Sequence, residues 1–181
     1  NETRVTTHWQ GYYGTISGTI TLDDAKNNTL FDWNLANPVG EVYASNGSAV
    51  NWDNITCVNL SSGHVTKINA SIIETAYNIS ANEVDGVNET FNWTYAGTFS
   101  VGGRAITSAS NCPLAYMYVN NQSQQASFQE VLLTDNVSLI LTAVLETNVV
   151  GFDGSTLDFE LIVPENQAPG ITEFYFFVEL S

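Results

Sequence analysis

Eleven asparagines stand two residues ahead of a serine or threonine: Asn1, Asn27, Asn46, Asn54, Asn59, Asn69, Asn78, Asn88, Asn92, Asn121 and Asn136. At that spacing the side-chain amide nitrogen is the acceptor for an N-linked glycan, which marks a surface position of a secreted chain. The 20 asparagines and 34 Ser or Thr of this 181-residue chain would give roughly four such sites by chance. The excess points to an extracellular glycoprotein. Cys57 and Cys112 are the two cysteines. An even pair outside the cell reads as a disulfide, and closing the loop between them would constrain the unfolded chain by ~4 kcal/mol. Two buried thiols are the other reading.

Other residue types offer less defined chemistry. Asp23 and Asp24, Asp153 and Asp158, and Asp135 are oxygen donors of the kind calcium takes, but no loop carries the alternating Asp/Asn spacing with a terminal Glu, so solvated turn carboxylates are the favoured reading. His8 and His64 have no ligand spacing to either cysteine, and neither a metal nor another cofactor is expected. The segments Trp9–Tyr13, Phe31–Trp33 and Asn92–Tyr95 could form an aromatic platform for sugar rings, though aromatics in a strand-rich chain more often fill the core. The sequence has no G-x-S-x-G elbow, no H-E-x-x-H and no phosphate-cradling glycine loop, so no enzyme is expected.

Four basic residues against 19 acidic ones give a formal charge of −15, which is unsuited to phosphate-backbone binding and argues against nucleic acid as a partner. The longest mostly apolar run, Val137 to Leu145, is far short of the ~20 residues of a spanning helix. The polar opening Asn1-Glu2-Thr3 fits a mature form whose signal peptide has been removed.

These residues must be positioned by strands. Tyr12 to Leu22 alternates with a period of two, and Asp23 to Asn28 reads as a hairpin loop leading to Phe31, Trp33 and Leu35 on one face. Further strands are expected at 41–44, 98–101, 105–108, 116–119, 128–133, 138–145, 157–163 and 172–180, punctuated by Asn, Gly or Pro. About ten short strands imply a mainly β fold, a sandwich or jelly roll. Val65, Ile68, Ile72, Ala76 and Ile79 instead share a helical stripe, and Ser80-Ala81-Asn82-Glu83 reads as a capping box ahead of Val84, Val87 and Phe91. A helical insertion is therefore expected at about 63–90.

The domain proper is placed at 11–181, with residues 1–10 as an arm. Thr3, Val5, Thr7 and Trp9 make this arm a short β-prone segment that either completes its own sheet or adds a strand to a neighbouring copy. The strand at 172–180 is the less favoured joint. It is apolar on both faces, so it is expected between two buried layers.

The runs Trp9-Gln10-Gly11-Tyr12-Tyr13-Gly14, Val87-Asn88-Glu89-Thr90-Phe91, Phe128-Gln129-Glu130-Val131-Leu132-Leu133, Gly151-Phe152-Asp153-Gly154 and the Phe-Tyr-Phe-Phe-Val-Glu-Leu ending at Leu180 resemble an uncharacterised family of secreted archaeal surface proteins. More loosely, the sequon load and the arm are similar to archaeal threads and pili built by donor-strand complementation. The resemblance brings no catalytic residues. Together these features lead to an expected structural subunit of an extracellular filament or surface layer, a homopolymer joined by strand insertion. A secreted carbohydrate-binding or adhesion module is the alternative.

Overall fold

The computed structural model describes residues 8–16, 20–33, 38–61, 68–119, 122–123, 127–165 and 173–180, with backbone alone at 20–21, 31–33, 38–39, 123 and 180. The first half of the chain holds β1 (Trp9–Gly14), β2 (Ile20–Asp24), β3 (Thr29–Trp33), β4 (Pro38–Ser45), β5 (Thr56–Cys57), α1 (Ala70–Tyr77), α2 (Val87–Thr90) and β6 (Trp93–Thr94). The second half adds β7 (Phe99–Val101), β8 (Arg104–Ile106), β9 (Pro113–Tyr116), β10 (Tyr118–Val119), β11 (Gln122–Ser123), β12 (Gln129–Thr134), β13 (Leu139–Ala143), β14 (Val149–Val150), β15 (Thr156–Leu157), β16 (Phe159–Pro164) and β17 (Tyr175–Leu180).

The chain is a β-sandwich. One sheet runs β17-β4-β13-β12-β9-β6, with β5 beside β9 on the flank of β12, and the other runs β16-β1-β2-β3. All pairings in both are antiparallel. The central strands of the larger sheet, β13 and β12, are buried on both faces. Leu132, Leu139, Leu141, Val42 and Ala44 face the smaller sheet and the two helices. Their strand neighbours Val131, Leu133, Ile140 and Tyr43 face a second core made by the β7–β8 hairpin and the segments around Ile55 and Cys112. This explains the continuous apolar runs Val131-Leu132-Leu133 and Leu139-Ile140-Leu141: a strand with a core on each side has no solvent face to alternate with. Each such leucine contributes about 1.5–3 kcal/mol by leaving water.

Cys57 and Cys112 are joined, 4.9 Å apart at Cα. Cys57 pairs across to Leu133 and Leu114 to Val131, so the bridge ties together the two segments that share one flank of β12.

Three local expectations are corrected. The alternating run from Tyr12 to Leu22 is two antiparallel strands in register Tyr12 with Asp24, not one. β1 ends at Gly14, still opposite Phe159 of β16, and Asp158 then holds the chain beyond it: the Asp158 N–H donates to the Gly14 carbonyl and the Ile16 N–H donates to Asp158 Oδ2 at 2.6 Å. In α1 the inward face is Ala70, Ile73, Glu74 and Tyr77, whereas Ile72 is 42% exposed. The shift arises because the helix begins only at Ala70, where Asn69 Oδ1 caps it by accepting the Ile72 N–H at 3.0 Å. Finally, Ser80 to Asp85 forms turns rather than a helix, and α2 starts after Gly86, which leaves Val84 98% exposed while Val87 and Phe91 enter the core.

Candidate functional site

Trp9 does not belong to a free arm. It opens β1, pairs with Pro164 of the same chain, packs edge-on against Phe91 at 5.5 Å and donates its indole N–H to the Asp85 carbonyl at 2.7 Å. The boundary drawn after residue 10 therefore falls inside a strand, because the apolar surface around Phe91 and Val163 gives the indole a buried seat in its own subunit. Thr3, Val5 and Thr7 lie outside the described residues.

The outer edge of the larger sheet is formed by β17, whose inner side pairs with β4 from Tyr175–Ser45 to Val178–Val42. Among the described residues nothing pairs with its outer side. Phe174, Phe176 and Val178 lean on the first core and Phe177 on the second, all half-buried. Beside this edge lies a groove of about 230 Å³, open to the surface and lined by Tyr43, Trp52, Val101, Gly102, Phe177, Val178 and Glu179. Trp52 forms its wall, edge-on to both Tyr43 (5.1 Å) and Phe177 (5.3 Å). Gly102 lets the hairpin approach, since a Cβ there would meet the Trp52 carbonyl at 2.1 Å and its φ is +54°. Burial first, then the charges of Glu41 and Glu179, hold the Tyr43 hydroxyl above its usual pKa. Trp52 carried no signal in the sequence, being a lone aromatic in a polar stretch.

Nine acceptor asparagines lie in the described structure, where Asn27, Asn46, Asn54, Asn78, Asn88 and Asn92 are exposed, Asn59 and Asn136 are half-buried and Asn69 is 8% exposed. Asparagine also has a backbone role here, since Asn27, Asn78 and Asn136 hold left-handed turns at φ of 63°, 55° and 72°. In Asn27, Asn59 and Asn69 the side-chain oxygen makes the structural bond, to the Tyr13 hydroxyl, the Ser61 N–H and the Ile72 N–H. The atom that holds the turn is thus not the nitrogen that would carry a glycan. Asn54 differs, donating its amide to the Asp135 carbonyl at 3.3 Å.

The remaining candidates disperse. Asp24 accepts from Lys26 and Asn28 and Asp153 from Ser155, each within its own turn, whereas Asp135 accepts from Asn51 as well as from Val137 and Ser138, and Asp158 from Ile16 and Asn148, joining separate segments. The aromatic segments do not share a surface role, as Trp9 and Tyr95 are buried while Trp93, 43% exposed, meets Tyr116 edge-on at 5.2 Å. The side chain of Trp33 lies outside the described part of the structure.

Two features escaped the sequence reading. Glu130, fully buried on β12, crosses to the other sheet and accepts the Ile162 N–H of β16 at 3.1 Å. Burial pushes its carboxyl well above the usual range, the bond from Ile162 opposing only in part. Glu160 behaves alike, accepting the Phe152 N–H at 2.7 Å, and burial pushes it up to about 8. The second feature is a cluster of His8, Glu83 and Asp85, in which His8 Nε2 contacts the Glu83 carboxylate and lies 3.8 Å from Asp85 Oδ1. Hydrogen bonds from Ser80 and then His8 hold the Glu83 carboxyl below its usual range. Residues 75 or more apart in the chain give no local pattern to find.

No helix of the described residues is long and apolar enough to cross a membrane. No family model, curated protein or solved structure matches the chain.

Proposed function

We propose that the protein is a structural subunit of an extracellular glycoprotein filament or surface layer, in which residues 1–7 of one copy add as a strand to the outer edge of β17 in the next. The observation that carries this reading is the unpaired β17 edge with an apolar groove beside it. Open apolar edges invite strand addition, and proteins that do not use them cover them. The occupant is named by its chemistry. Residues 1–7 alternate Thr3, Val5 and Thr7, and they carry Arg4, one of only four basic residues in the chain, while Glu179 lines the groove. The disulfide and the exposed sequons support an extracellular setting.

A charge exchange tests it. Arg4→Glu and Glu179→Arg should each weaken assembly of the full chain, and the double variant should restore it. Unchanged assembly in both single variants would refute the assigned joint. Trp93 with Tyr116 favours a second reading, an adhesion module, for which loss of polysaccharide binding on Trp93→Ala is the check.

A further inference from the structure

We propose that His8, Glu83 and Asp85 bind one divalent transition-metal ion of the zinc class, fastening the start of β1 to the connection between α1 and α2. One ligand atom from each residue lies within 4.8 Å of the others. Zinc bonds of about 2.0–2.2 Å place tetrahedral donors ~3.3–3.5 Å apart, so small side-chain rotations suffice.

Two of the ligands are held by bonds that the ion would not replace. The His8 N–H donates to Asp85 Oδ2 at 2.9 Å, which leaves Oδ1 toward the imidazole, and the His8 carbonyl accepts the Glu165 N–H at 2.8 Å. The Trp9 indole N–H fixes the Asp85 backbone at 2.7 Å. Such outer contacts orient metal ligands in general. One imidazole with two carboxylates suits zinc, cobalt or manganese, whereas calcium and magnesium prefer oxygen donors alone. A chain of formal charge −15 also raises the local concentration of cations. Glu83 has 38% of its side chain exposed, so the ion has an entry path and room for water as a further ligand. His8 directly follows residues 1–7 in the chain, but the binding itself does not depend on how the protein assembles.

The test is titration of the untagged full chain with zinc by calorimetry and with cobalt by visible absorption. Wild type should bind one ion with a Kd of about 10 μM or tighter. Saturating zinc should raise the thermal midpoint by roughly 5 °C or more. His8→Gln and Glu83→Gln should each weaken binding at least tenfold, while His64→Gln, which alters the other histidine, should leave it unchanged. Glu83 is exposed enough that its variant stays folded, as circular dichroism will verify. A wild-type chain that shows no saturable binding up to about 1 mM zinc, as for a plain imidazole–carboxylate pair, overturns the proposal. So does wild-type affinity in Glu83→Gln.

Discussion

At the edge of the four-stranded sheet, β16 lies against β12 and β13 of the opposite sheet, and Glu130 reaches across to accept the N–H of Ile162. At the edge of the seven-stranded sheet, β17 pairs, among the described residues, with β4 alone and leaves its aromatic side chains half-covered. Both are six-residue apolar strands. One lies under the opposite sheet, where a buried carboxyl takes one of its N–H groups, and the other is bordered by an open groove. The difference teaches that an edge in this fold can be covered by the opposite sheet, so the openness of β17 is not forced by the architecture. Glu179 and the register shift between Val178 and Leu180 guard one end of that edge, and the Tyr175 hydroxyl, bonded to Glu173, marks the other.

Four changes sharpen or break the contrast. Replacing Cys57 and Cys112 together with serine should lower unfolding stability by about 4 kcal/mol, measured by urea denaturation, without altering how the folded fraction associates, because the bridge serves the β12 flank away from β17.

Raising the pH should loosen the sealed side next. The folded pKa of Glu160, and that of Glu130, lies above the unfolded value of 4.5, so the neutral carboxyl is the form the fold accommodates. Their stabilisation is complete below that value and is lost as pH climbs, for Glu160 through about 8. The free energy of unfolding, measured by urea denaturation, should therefore fall between pH 5 and 8 by an amount on the order of 3 kcal/mol, and Glu160→Gln should flatten the decline. Asp135 and Asp153 act oppositely. Burial would raise them, but hydrogen bonds from Ser138, Asn51 and Val137, and from Ser155, outweigh it and lower both. What they contribute disappears as pH drops below the unfolded value of 3.8.

Glu130→Ala should cost about 2–3 kcal/mol by leaving a void and an unpaired Ile162 N–H, while Glu130→Gln should restore most of this at neutral pH. Tyr175→Lys at the open edge should change stability by less than about 0.5 kcal/mol yet suppress association in sedimentation velocity runs.

Much of the frame was legible from local pattern. The loop at Asp23–Asn28, the strands near 41–44 and 128–133 and the cysteine pair follow from turn residues, alternation and compartment. Period alone failed where one pattern serves two structures. A hairpin whose two strands keep the same alternation reads as one long strand, as at Tyr12–Leu22, and a stripe counted from Val65 is misphased once Asn69 fixes the true start of α1. The site was less legible. Trp52, Gly102 and Phe177 meet only after folding, and so do His8, Glu83 and Asp85. Glu130 sits in an apolar run where a carboxylate looks misplaced until the opposite sheet supplies its partner.

Amide hydrogen exchange along Tyr175–Leu180, compared between the assembled and the dissociated protein, tests the assigned joint most directly. Strand addition predicts that the outward amides of β17 exchange freely in the monomer and become strongly protected in the assembly, and that protein lacking residues 1–7 shows no such gain. Protection unchanged on assembly, or a gain that survives removal of those residues, would contradict it.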